Sequence, residues 1–453
     1  MASDETGLIC PLDFRYGRSE FRTLFSREAR LQRALRVEAA LAQAEADLGM
    51  IPKEAALQIG AVAKSSKVSL ERVDALEREL KHDVMAIARA LGEQAGPGGA
   101  WVHYGATSND ITDTALALEL KQASDVLRDD LTELARVLLE RARLHRATPE
   151  IGRSHGQHAI PMSFGYKMAV ACAEVLRHRT RLDQLRPRLQ VGKMSGAVGT
   201  GAGFGAQAET VEAAVMRALG LGVDDAPTQI VGRDRIAELT NLLALIAGTC
   251  ERLTTEVRNL QRPEIGEVAE AFDEAHQVGS STMAQKRNPI VSENVSSLAR
   301  LVRAFALPPL ENMALWHERD LTNSANERIV LPHALLLTDD MLVKLREIFQ
   351  GLHVDVDRMR ANLDLTRGAA MTENLMLALT AKGIPRSEAH EALRKLTRDS
   401  ETGSSLAERA KADPQLRGFL TSVEIDRLLD PQQYVLAAAE KTDRIVAKLT
   451  AEL

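Results

Sequence analysis

The sequence is poor in aromatic residues and in cysteine. Phenylalanine, tryptophan and tyrosine together make up 3% of its 453 residues, so a core must be built mainly from aliphatic side chains, which suit packed helices. The three cysteines, Cys10, Cys172 and Cys250, are odd in number and far apart. We therefore expect no disulfide framework and favour a reducing compartment.

The sequence also lacks long apolar runs and a strong excess of one charge. No stretch approaches the roughly 18 uninterrupted apolar residues of a membrane span, and the N-terminal MASDETGLIC lacks the basic and apolar regions of a secretory signal. The net charge is -6, from 57 basic and 63 acidic residues, which indicates neither nucleic acid nor a membrane as a partner. We expect a cytoplasmic protein.

Apolar residues do recur at helical spacing over long segments. The two clearest stripes comprise Ile236, Leu239, Leu243, Ile246, Cys250, Leu253, Val257 and Leu260, and Leu116, Leu120, Ala123, Leu127, Leu131, Leu134 and Leu138. Each stripe predicts one face of a long helix. The LLALIAG segment at 242–248 is apolar nearly all round and should be deeply buried. Further long helices are expected at 162–186, before Pro187, and at 292–307, before Pro308.

Helices of this length exceed what is usual in a globular domain and predict an all-α protein with an elongated central bundle. The sequence shows no succession of β-hairpins and no alternation of strands with helices. Three domains are predicted: an N-terminal helical domain at 1–109, a central bundle of long helices at 110–359 and a C-terminal helical domain at 360–453. Apolar surfaces all round the central helices suggest that other subunits cover part of them.

The most informative polar segment is GSSTMAQKRNP, residues 279–289. A flexible loop would explain an arbitrary segment of this kind. Its functional side chains are those of Ser280, Ser281, Lys286 and Asn288. They precede an expected helix, whose dipole and free N–H groups would join them in binding an anion. The segment resembles the signature loop of the fumarase/aspartase superfamily, Gly-Ser-Ser, two residues, then Pro-x-Lys-x-Asn-Pro. Ala284 replaces the first proline, which predicts a more mobile loop.

The segment GRSHGQHAIP, residues 152–161, carries His155 and His158. A lone histidine is most often structural, and a metal site is disfavoured because His-x-x-His supplies two ligands without a third at suitable spacing. The segment resembles the second conserved region of the superfamily, written Gly-Arg-Thr-His-Gly-Gln-His-Ala in adenylosuccinate lyases, with Ser154 in place of threonine. By this resemblance His155 is the expected general acid.

A third polar region, VHYGATSNDITDT at 102–114, has the pattern of a helix start capped by Asp110 or Asp113. Upstream, KHDV at 81–84 would equally suit a solvated charged helix. The pairing of the two segments is typical of adenylosuccinate lyases, and it assigns His82 to catalysis. The residues that the resemblance assigns to substrate binding here are Lys81, Asp83, His103, Thr107 and Ser108.

Three more segments, LDFRYG, PTQIVGRDR and WHERDLTNSANERI, would by default be ordinary charged segments with surface ion pairs. The first and last match regions that hold the nucleotide phosphate in adenylosuccinate lyases, and the second also matches. Arginine suits phosphate because it forms bidentate, charge-assisted bonds. The residues expected to bind substrate are Arg15, Tyr16, Gln229, Arg319, Ser324 and Arg328.

The resemblance implies a lyase that releases fumarate by β-elimination, from adenylosuccinate and from the succinyl-carboxamide imidazole ribotide of purine biosynthesis. Ser280, or Ser281 beside it, is the implied base, and Lys286 and Asn288 stabilise the enolate-like intermediate. Glu293 would orient a catalytic histidine. No metal or other cofactor is required. The resemblance also implies a homotetramer in which each site draws on three subunits.

Other functions stay open at this point. Another superfamily member could act on argininosuccinate, carboxymuconate or an aminopolycarboxylate, and Gln285 supports this because MxQK resembles the argininosuccinate-type loop. Such substrates would not need the phosphate residues Arg15, Tyr16, Ser324 and Arg328. A non-catalytic protein on the same scaffold is disfavoured because the catalytic residues are intact, and a helical binding protein would leave the polar loops unexplained.

Overall fold

The computed structural model describes residues 9–273, 276–277, 279–398 and 403–453. Helices dominate this part of the chain. They are α1 (Ser19–Leu24), α2 (Arg27–Asp47), α3 (Lys53–Ala63), α4 (Leu70–Leu80), α5 (Asp83–Gln94), α6 (Ser108–Leu144), α7 (Phe164–Leu189), α8 (Ala208–Leu219), α9 (Asp234–Leu260), α10 (Ile290–Ala304), α11 (Leu307–Glu311), α12 (Ser324–Gly351), α13 (Val356–Asp364), α14 (Thr372–Ala381), α15 (Arg386–Arg398), α16 (Leu406–Ala412), α17 (Pro414–Arg417), α18 (Ser422–Leu428) and α19 (Gln432–Ala451).

Three sheets of two strands each accompany the helices. The strands are β1 (Pro149–Ser154), β2 (Gln157–Ser163), β3 (Val191–Gly192), β4 (Gly222–Val223), β5 (Val268–Ala269) and β6 (His353–Val354). The β1–β2 and β5–β6 pairs are antiparallel, whereas β3 and β4 run parallel. The predicted helical fold with long central helices is confirmed, and the β1–β2 hairpin is an addition that the sequence pattern did not indicate.

Both predicted apolar stripes lie on long helices. Every residue of the α9 stripe is buried, and on α6 only Leu116 is partly exposed. The prediction that the middle of α9 is buried all round is wrong for the single chain, because Leu245 keeps 54% of its surface exposed. None of the described helices is both long and apolar enough to cross a membrane.

Two predicted helix ends are shifted at prolines. Helix α7 begins at Phe164, after strand β2, and continues through Pro187 to Leu189. Because Pro187 lies in the last turn, its missing N–H removes only the helical bond to the carbonyl of Asp183. The helix predicted to end at residue 307 ends at Ala304. Pro308 lies within the first turn of the next helix, α11, where a proline needs no N–H partner.

The chain forms two compact units. The first comprises Met1–Leu131, His178–Cys250 and Ser297–Val343, and the second comprises Thr132–Arg177, Glu251–Ser296 and Lys344–Leu453. The long helices α6, α7, α9, α10 and α12 each contribute residues to both units. The domain boundaries predicted near residues 109 and 359 stay predictions.

In the first unit, helix α2 packs on two sides. Leu35 belongs to a cluster of buried apolar side chains from α3, α4 and α5, and Val37 belongs to a second cluster. The second cluster also contains Val84, from the start of α5, and Ile111, from the start of α6. The α2 core therefore holds in place the two helix starts that carry the KHDV and SNDITDT residues.

The second unit contains a separate apolar cluster formed by the C-terminal helices. Leu375 and Leu379 of α14 pack there with buried side chains of α15, α16 and α18. Two capping boxes, at Ser405 and Thr421, satisfy the first N–H groups of α16 and α18 and define where these short helices begin.

Candidate active site

A cleft of about 840 Å³ lies in the first unit where α5, α6 and α12 begin. Helices α2, α4, α5, α6 and α12 and the loops before α5, α9 and α12 form its walls, and the structure brings several of the predicted substrate residues together there. The predicted site residues that line it are Lys81, His82, Asp83, Ser108, Arg319, Ser324 and Arg328. Residues far apart in the sequence therefore meet in one cavity.

The KHDV segment connects α4 to α5. Lys81 ends α4 in a left-handed conformation, with φ of 53°, which turns the chain sharply. His82 caps α5: its Nδ1 accepts the backbone N–H of Met85 at 3.4 Å, and its Nε2 lies 3.4 Å from Ser108 Oγ. With Nδ1 accepting, a neutral His82 carries its proton on Nε2 and donates towards Ser108.

The first turn of α12 presents two predicted phosphate residues to the cleft. Ser324 and Arg328 are four residues apart, so their side chains lie on the same face of the helix. Arg328 Nη2 donates to Asp83 Oδ2 at 2.9 Å. Since Arg328 is 63% exposed, this ion pair contributes little to stability, and a stronger anionic ligand can displace Asp83.

Arg319 is a cation that the protein itself compensates poorly. Its Nη1 donates to Gln229 Oε1 at 3.3 Å, while its buried Nε has no hydrogen-bond partner among the described residues. Burial lowers the pKa of Arg319, and the positive charge of Arg233 adds to this although Asp113 opposes it. A partly buried guanidinium with an unused donor is suited to holding an anionic group.

The cleft wall includes a buried cluster of charges that the sequence did not reveal. Arg233 donates to both oxygens of Asp113, at 2.8 and 3.0 Å, and to Glu327 at 2.9 Å. Burial lowers the pKa of Arg233, but the charges and hydrogen bonds of the two acids more than offset this and raise it. Because Asp113 lies on α6 and Glu327 on α12, Arg233 fixes the two helix starts against each other.

Replacing Arg233 with glutamine is expected to destabilise the protein by about 3–5 kcal/mol, because it leaves two buried carboxylates without their cation. The measurement is urea unfolding at fixed protein concentration. Arg188→Gln is the matched control, since the Arg188–Glu238 pair is largely exposed and its loss should cost about 0–1 kcal/mol. Equal losses in the two variants would contradict a structural role of the buried cluster.

Five predicted substrate residues of the first unit, namely Arg15, Tyr16, His103, Thr107 and Gln229, lie outside the lining of the cleft. His103 has a φ of 65° and places Nδ1 2.7 Å from Glu38 Oε1. The N–H of Thr107, directly before α6, donates to Asp110 Oδ2 in the first turn of that helix at 2.8 Å. Arg15 is exposed, and its guanidinium lies 6.0 Å from the centre of the Tyr16 ring. The assignment of these five residues to substrate binding stays a prediction.

In the second unit, His155 lies at the tip of the β1–β2 hairpin. The turn of this hairpin has two residues, His155 (φ 55°) and Gly156 (φ 72°), and both are left-handed. Turns of this kind match the twist of the flanking strands and favour glycine at the second position. The turn leaves His155 exposed and free to meet a substrate.

The hairpin is held by a buried carboxylate. Arg153 donates to both oxygens of Glu267, at 2.9 and 2.6 Å, and Asn362 donates to the same carboxylate at 2.7 Å. Burial, followed by the positive charge of Arg153, lowers the pKa of His158. The lowered pKa leaves less of His158 protonated near pH 7, which makes it a weaker candidate for a proton donor.

Ser280 and Asn288 form hydrogen bonds with the backbone of the signature loop. Ser280 Oγ accepts the backbone N–H groups of Thr282 and Met283, at 3.2 and 3.1 Å. Asn288 Nδ2 donates to the carbonyl of Gly279 at 3.0 Å and so joins the two ends of the loop. Glycine is required at position 279, because a Cβ there would lie 1.8 Å from the carbonyl oxygen of Lys286.

The start of α10 is occupied by the protein's own carboxylate. Glu270 accepts the backbone N–H groups of Val291 and Ser292, at 3.2 and 2.6 Å. Gln261 donates to the carbonyl of Arg287 at 3.2 Å and accepts the N–H of Glu270 at 3.0 Å. The helix N–H groups expected to meet a substrate anion therefore bind Glu270 instead, which leaves the side chains of the loop for that role.

The remaining loop residues present their side chains to solvent. Ser281, Lys286 and, in the first turn of α10, Glu293 are exposed. The predicted site residues thus form two groups. One group comprises Arg15, Tyr16, Lys81, His82, Asp83, His103, Thr107, Ser108, Gln229, Arg319, Ser324 and Arg328 in the first unit. The other comprises His155, Ser280, Ser281, Lys286, Asn288 and Glu293 in the second unit.

Two family models match the chain. One, described as Lyase, covers residues 14–304, and the other, described as Adenylosuccinate lyase C-terminus, covers residues 368–445. The adenylosuccinate lyase of Pyrococcus abyssi is 46% identical over 439 residues, which represent 97% of each chain.

Solved structures with the same fold include a fumarate lyase from Mesorhizobium sp. BNC1. It is 32% identical, with a TM-score of 0.88 over 95% of this chain and 98% of that one. A 3-carboxy-cis,cis-muconate lactonizing enzyme from Pseudomonas putida is also 32% identical, with a TM-score of 0.87 over 96% of this chain and 98% of that one. The similarity therefore extends over nearly the whole chain in both sequence and fold.

Proposed function

The chain belongs to the lyases of the fumarase/aspartase superfamily and, within them, to the adenylosuccinate lyases, and from this we propose that it cleaves adenylosuccinate to AMP and fumarate. It also cleaves the succinyl-carboxamide imidazole ribotide to the corresponding carboxamide and fumarate. The observation that carries the proposal is the match to an adenylosuccinate lyase along 97% of both chains.

The reaction is a β-elimination with Ser280 as the base. Ser280 Oγ takes the proton from the carbon next to a carboxylate, the electron pair forms the fumarate double bond, and the C–N bond breaks. Serine can act in this way only if its alkoxide is stabilised. The two backbone N–H groups that already point at Ser280 Oγ support this role, because they would donate to the alkoxide as well.

The other groups of the second unit act on the intermediate and the leaving group. Lys286 and Asn288 stabilise the negative charge that develops on the carboxylate side of the intermediate. His155 protonates the departing nitrogen, supported by its exposed position at the hairpin tip. Glu293 orients a catalytic histidine, and Ser281 is the alternative base.

The first unit binds the nucleotide part of the substrate. Arg319, Ser324 and Arg328 hold the phosphate, supported by their common position in the cleft and by the unused donor of Arg319. His82 takes part in catalysis from the same cleft. The residues that complete substrate binding are Arg15, Tyr16, Lys81, Asp83, His103, Thr107, Ser108 and Gln229.

A cytoplasmic homotetramer completes the proposal. Each active site combines residues of the two groups, contributed by three subunits. Each chain has three domains, with boundaries near residues 109 and 359. Large apolar side chains that remain exposed on long helices support an assembly of this kind, because oligomer contacts would cover them. Examples are Val170 on α7, Leu245 on α9, Leu301 on α10 and Ile329 on α12.

One spectrophotometric experiment tests the proposed substrate. The purified enzyme is assayed with adenylosuccinate, argininosuccinate, carboxymuconate and ethylenediamine disuccinate under the same conditions. We expect cleavage of adenylosuccinate at a kcat/KM at least about 10³-fold above the others, since only this substrate engages the phosphate residues. If one of the other three compounds had the highest kcat/KM, that compound would be the substrate and adenylosuccinate would not.

Replacing Arg328 with alanine is expected to raise KM for adenylosuccinate by roughly 10–100-fold, because a charge-assisted bond to phosphate contributes about 1.5–3 kcal/mol. Steady-state kinetics measure this. Arg360→Ala is the matched control, since Arg360 has the same 63% exposure and also forms a surface ion pair, with Asp357. An unchanged KM in Arg328→Ala would argue against a nucleotide substrate.

A further inference from the structure

Helix α2 carries two acidic side chains that face the interior of the first unit. Glu38 and Glu45 are seven residues, or two helical turns, apart, so they lie on the same face. Their exposed fractions are 1% and 0%. Burying a carboxylate is costly unless a partner compensates its charge, so two buried acids on one helix face require a reason.

The two acids differ in what they contact. Glu38 Oε1 lies 2.7 Å from Nδ1 of His103, a side chain that is 11% exposed. Among the described residues, Glu38 Oε2 and both oxygens of Glu45 have no hydrogen-bond partner. Glu38 therefore has one specific partner, and Glu45 is buried without any side-chain bond.

The charges follow from these contacts. Burial raises the pKa of Glu45 to about 8, and the nearby charge of Glu38 adds to this. Glu45 is therefore mostly protonated at neutral pH. Burial lowers the pKa of His103, but the hydrogen bond and charge of Glu38, helped by the charge of Asp110, outweigh burial and raise it.

The negative charge of Asp110 is balanced by a buried lysine. Lys193 Nζ, fully buried, donates to Asp110 Oδ1 at 2.5 Å and to the carbonyl of Gly196 at 3.2 Å. The groups that set the charge of His103 are therefore Glu38 from α2 and, more weakly, the paired Asp110 from α6. Glu38 is the one whose removal would change the ring most.

His103 is also fixed in direction. Its backbone φ of 65° is uncommon for a residue other than glycine, so the segment around it must hold the conformation. Since Glu38 occupies Nδ1, Nε2 is the ring nitrogen left for a ligand. A protonated ring in this position offers one N–H, in a fixed direction, to an anionic group.

We propose that Glu38 is a positioning residue for the elimination: it holds His103 by Nδ1, keeps the ring protonated and directs Nε2–H to an anionic group of the substrate. This inference rests on the proposed function, which assigns His103 to substrate binding. Glu45 fills the same buried face without charge, so that no second negative charge competes for His103.

The sign of the pH dependence follows from the protonated ring. Binding that needs His103 in its charged form is complete below the pKa of His103 and is lost as the pH rises through it. Without the carboxylate of Glu38, burial would dominate and the loss would begin at lower pH. A purely structural Glu38 would alter stability without moving this part of the profile.

The experiment compares Glu38→Gln with Glu45→Gln in the full-length enzyme. Glu38→Gln should move the alkaline fall of kcat/KM for adenylosuccinate to lower pH and lower kcat/KM at pH 8 by roughly 10-fold or more, through KM rather than kcat. Glu45→Gln imitates the protonated acid that is already present, so its profile should match that of the wild type. Glu38→Asp keeps the charge and should restore part of the loss.

A titration independent of activity accompanies the kinetics. Histidine labelled with 13C at Cε1 reports the protonation of His103, whose signal is assigned by its loss in His103→Gln. A lower titration midpoint of His103 in Glu38→Gln supports the inference, and an unchanged midpoint overturns it, whatever the substrate proves to be. A shifted midpoint with unchanged KM would also overturn it, because the charge of His103 would then not serve binding.

If Glu38→Gln does not fold, the wild-type enzyme still tests the inference. A titration midpoint of His103 above the ordinary value for histidine supports the inference, and a midpoint below that value overturns the inference. Absence of adenylosuccinate cleavage by wild-type enzyme would refute the proposed function, and the His103 titration would still test the Glu38–His103 pair separately.

Discussion

Replacing Ser280 with alanine is expected to lower kcat for adenylosuccinate cleavage by roughly 10²–10⁴-fold while leaving KM nearly unchanged, because a positioned general base contributes about this factor to a proton transfer. The hydroxyl removed is the acceptor for the N–H groups of Thr282 and Met283. Its loss removes both the base and the group that those donors are arranged to stabilise. Steady-state kinetics at saturating substrate measure the effect.

The neighbouring serine is the matched comparison. Ser281 is exposed, whereas Ser280 is partly buried and bonded by two backbone N–H groups. If Ser280 is the base, Ser281→Ala should lower kcat by about 10-fold or less. The reverse order of the two effects would transfer the role to Ser281. Light scattering on both variants should give the same mass as the wild type, so that a loss of activity is not a loss of assembly.

Replacing His155 with glutamine is expected to reduce kcat by roughly 10²–10⁴-fold, because the departing nitrogen then lacks a proton donor. Glutamine retains hydrogen-bonding groups but cannot transfer a proton at neutral pH. The hairpin turn should tolerate the change, since its geometry depends on the left-handed backbone at His155 and Gly156 rather than on the ring. A substrate with a better leaving group should lose less activity than adenylosuccinate.

His158 on the same hairpin provides the comparison for this prediction. Burial, followed by the positive charge of Arg153, lowers the pKa of His158, so less of it carries the proton that a donor must supply near pH 7. We expect His158→Gln to reduce kcat by about 10-fold or less. If His155→Gln had near-normal turnover and His158→Gln lost most of its activity, His158 and not His155 would be the proton donor.

The long helices could be predicted from the sequence because their signal is local. In α9, apolar residues recur every three or four positions from Ile236 to Leu260, and each of them is buried. The same reasoning failed for Leu245, whose exposure in the single chain depends on what packs around α9 and not on its own sequence. It also placed the end of α7 before Pro187, where one lost hydrogen bond proved tolerable.

The candidate site was predictable in part. Motif order pointed to Arg319, Ser324 and Arg328, and the structure places all three at one cleft. The roles of the individual site residues stay predictions until they are tested by substitution. The sequence offered no signal for Arg233, because its partner Asp113 is 120 positions away and looked like a helix cap.

Glu38 illustrates a different limit. In the sequence it is one of several acids on a charged amphipathic helix, where exposure to solvent is the default expectation. Its burial appears only when α2 packs on both sides, and its partner His103 is 65 positions further along the chain. Pairs of this kind become visible only in the folded protein.

The sequence by itself determined the long helices with their apolar faces and the order of the polar segments between them, because backbone periodicity and short motifs are encoded by neighbouring residues. Only the tertiary structure decided which charged side chains are buried, that Glu270 occupies the start of α10, and that His155 lies on a hairpin tip. Segments that are distant in the chain determine whether a side chain is buried and which groups it contacts. The electrostatic energy of a charged side chain depends on its burial and on these contacts.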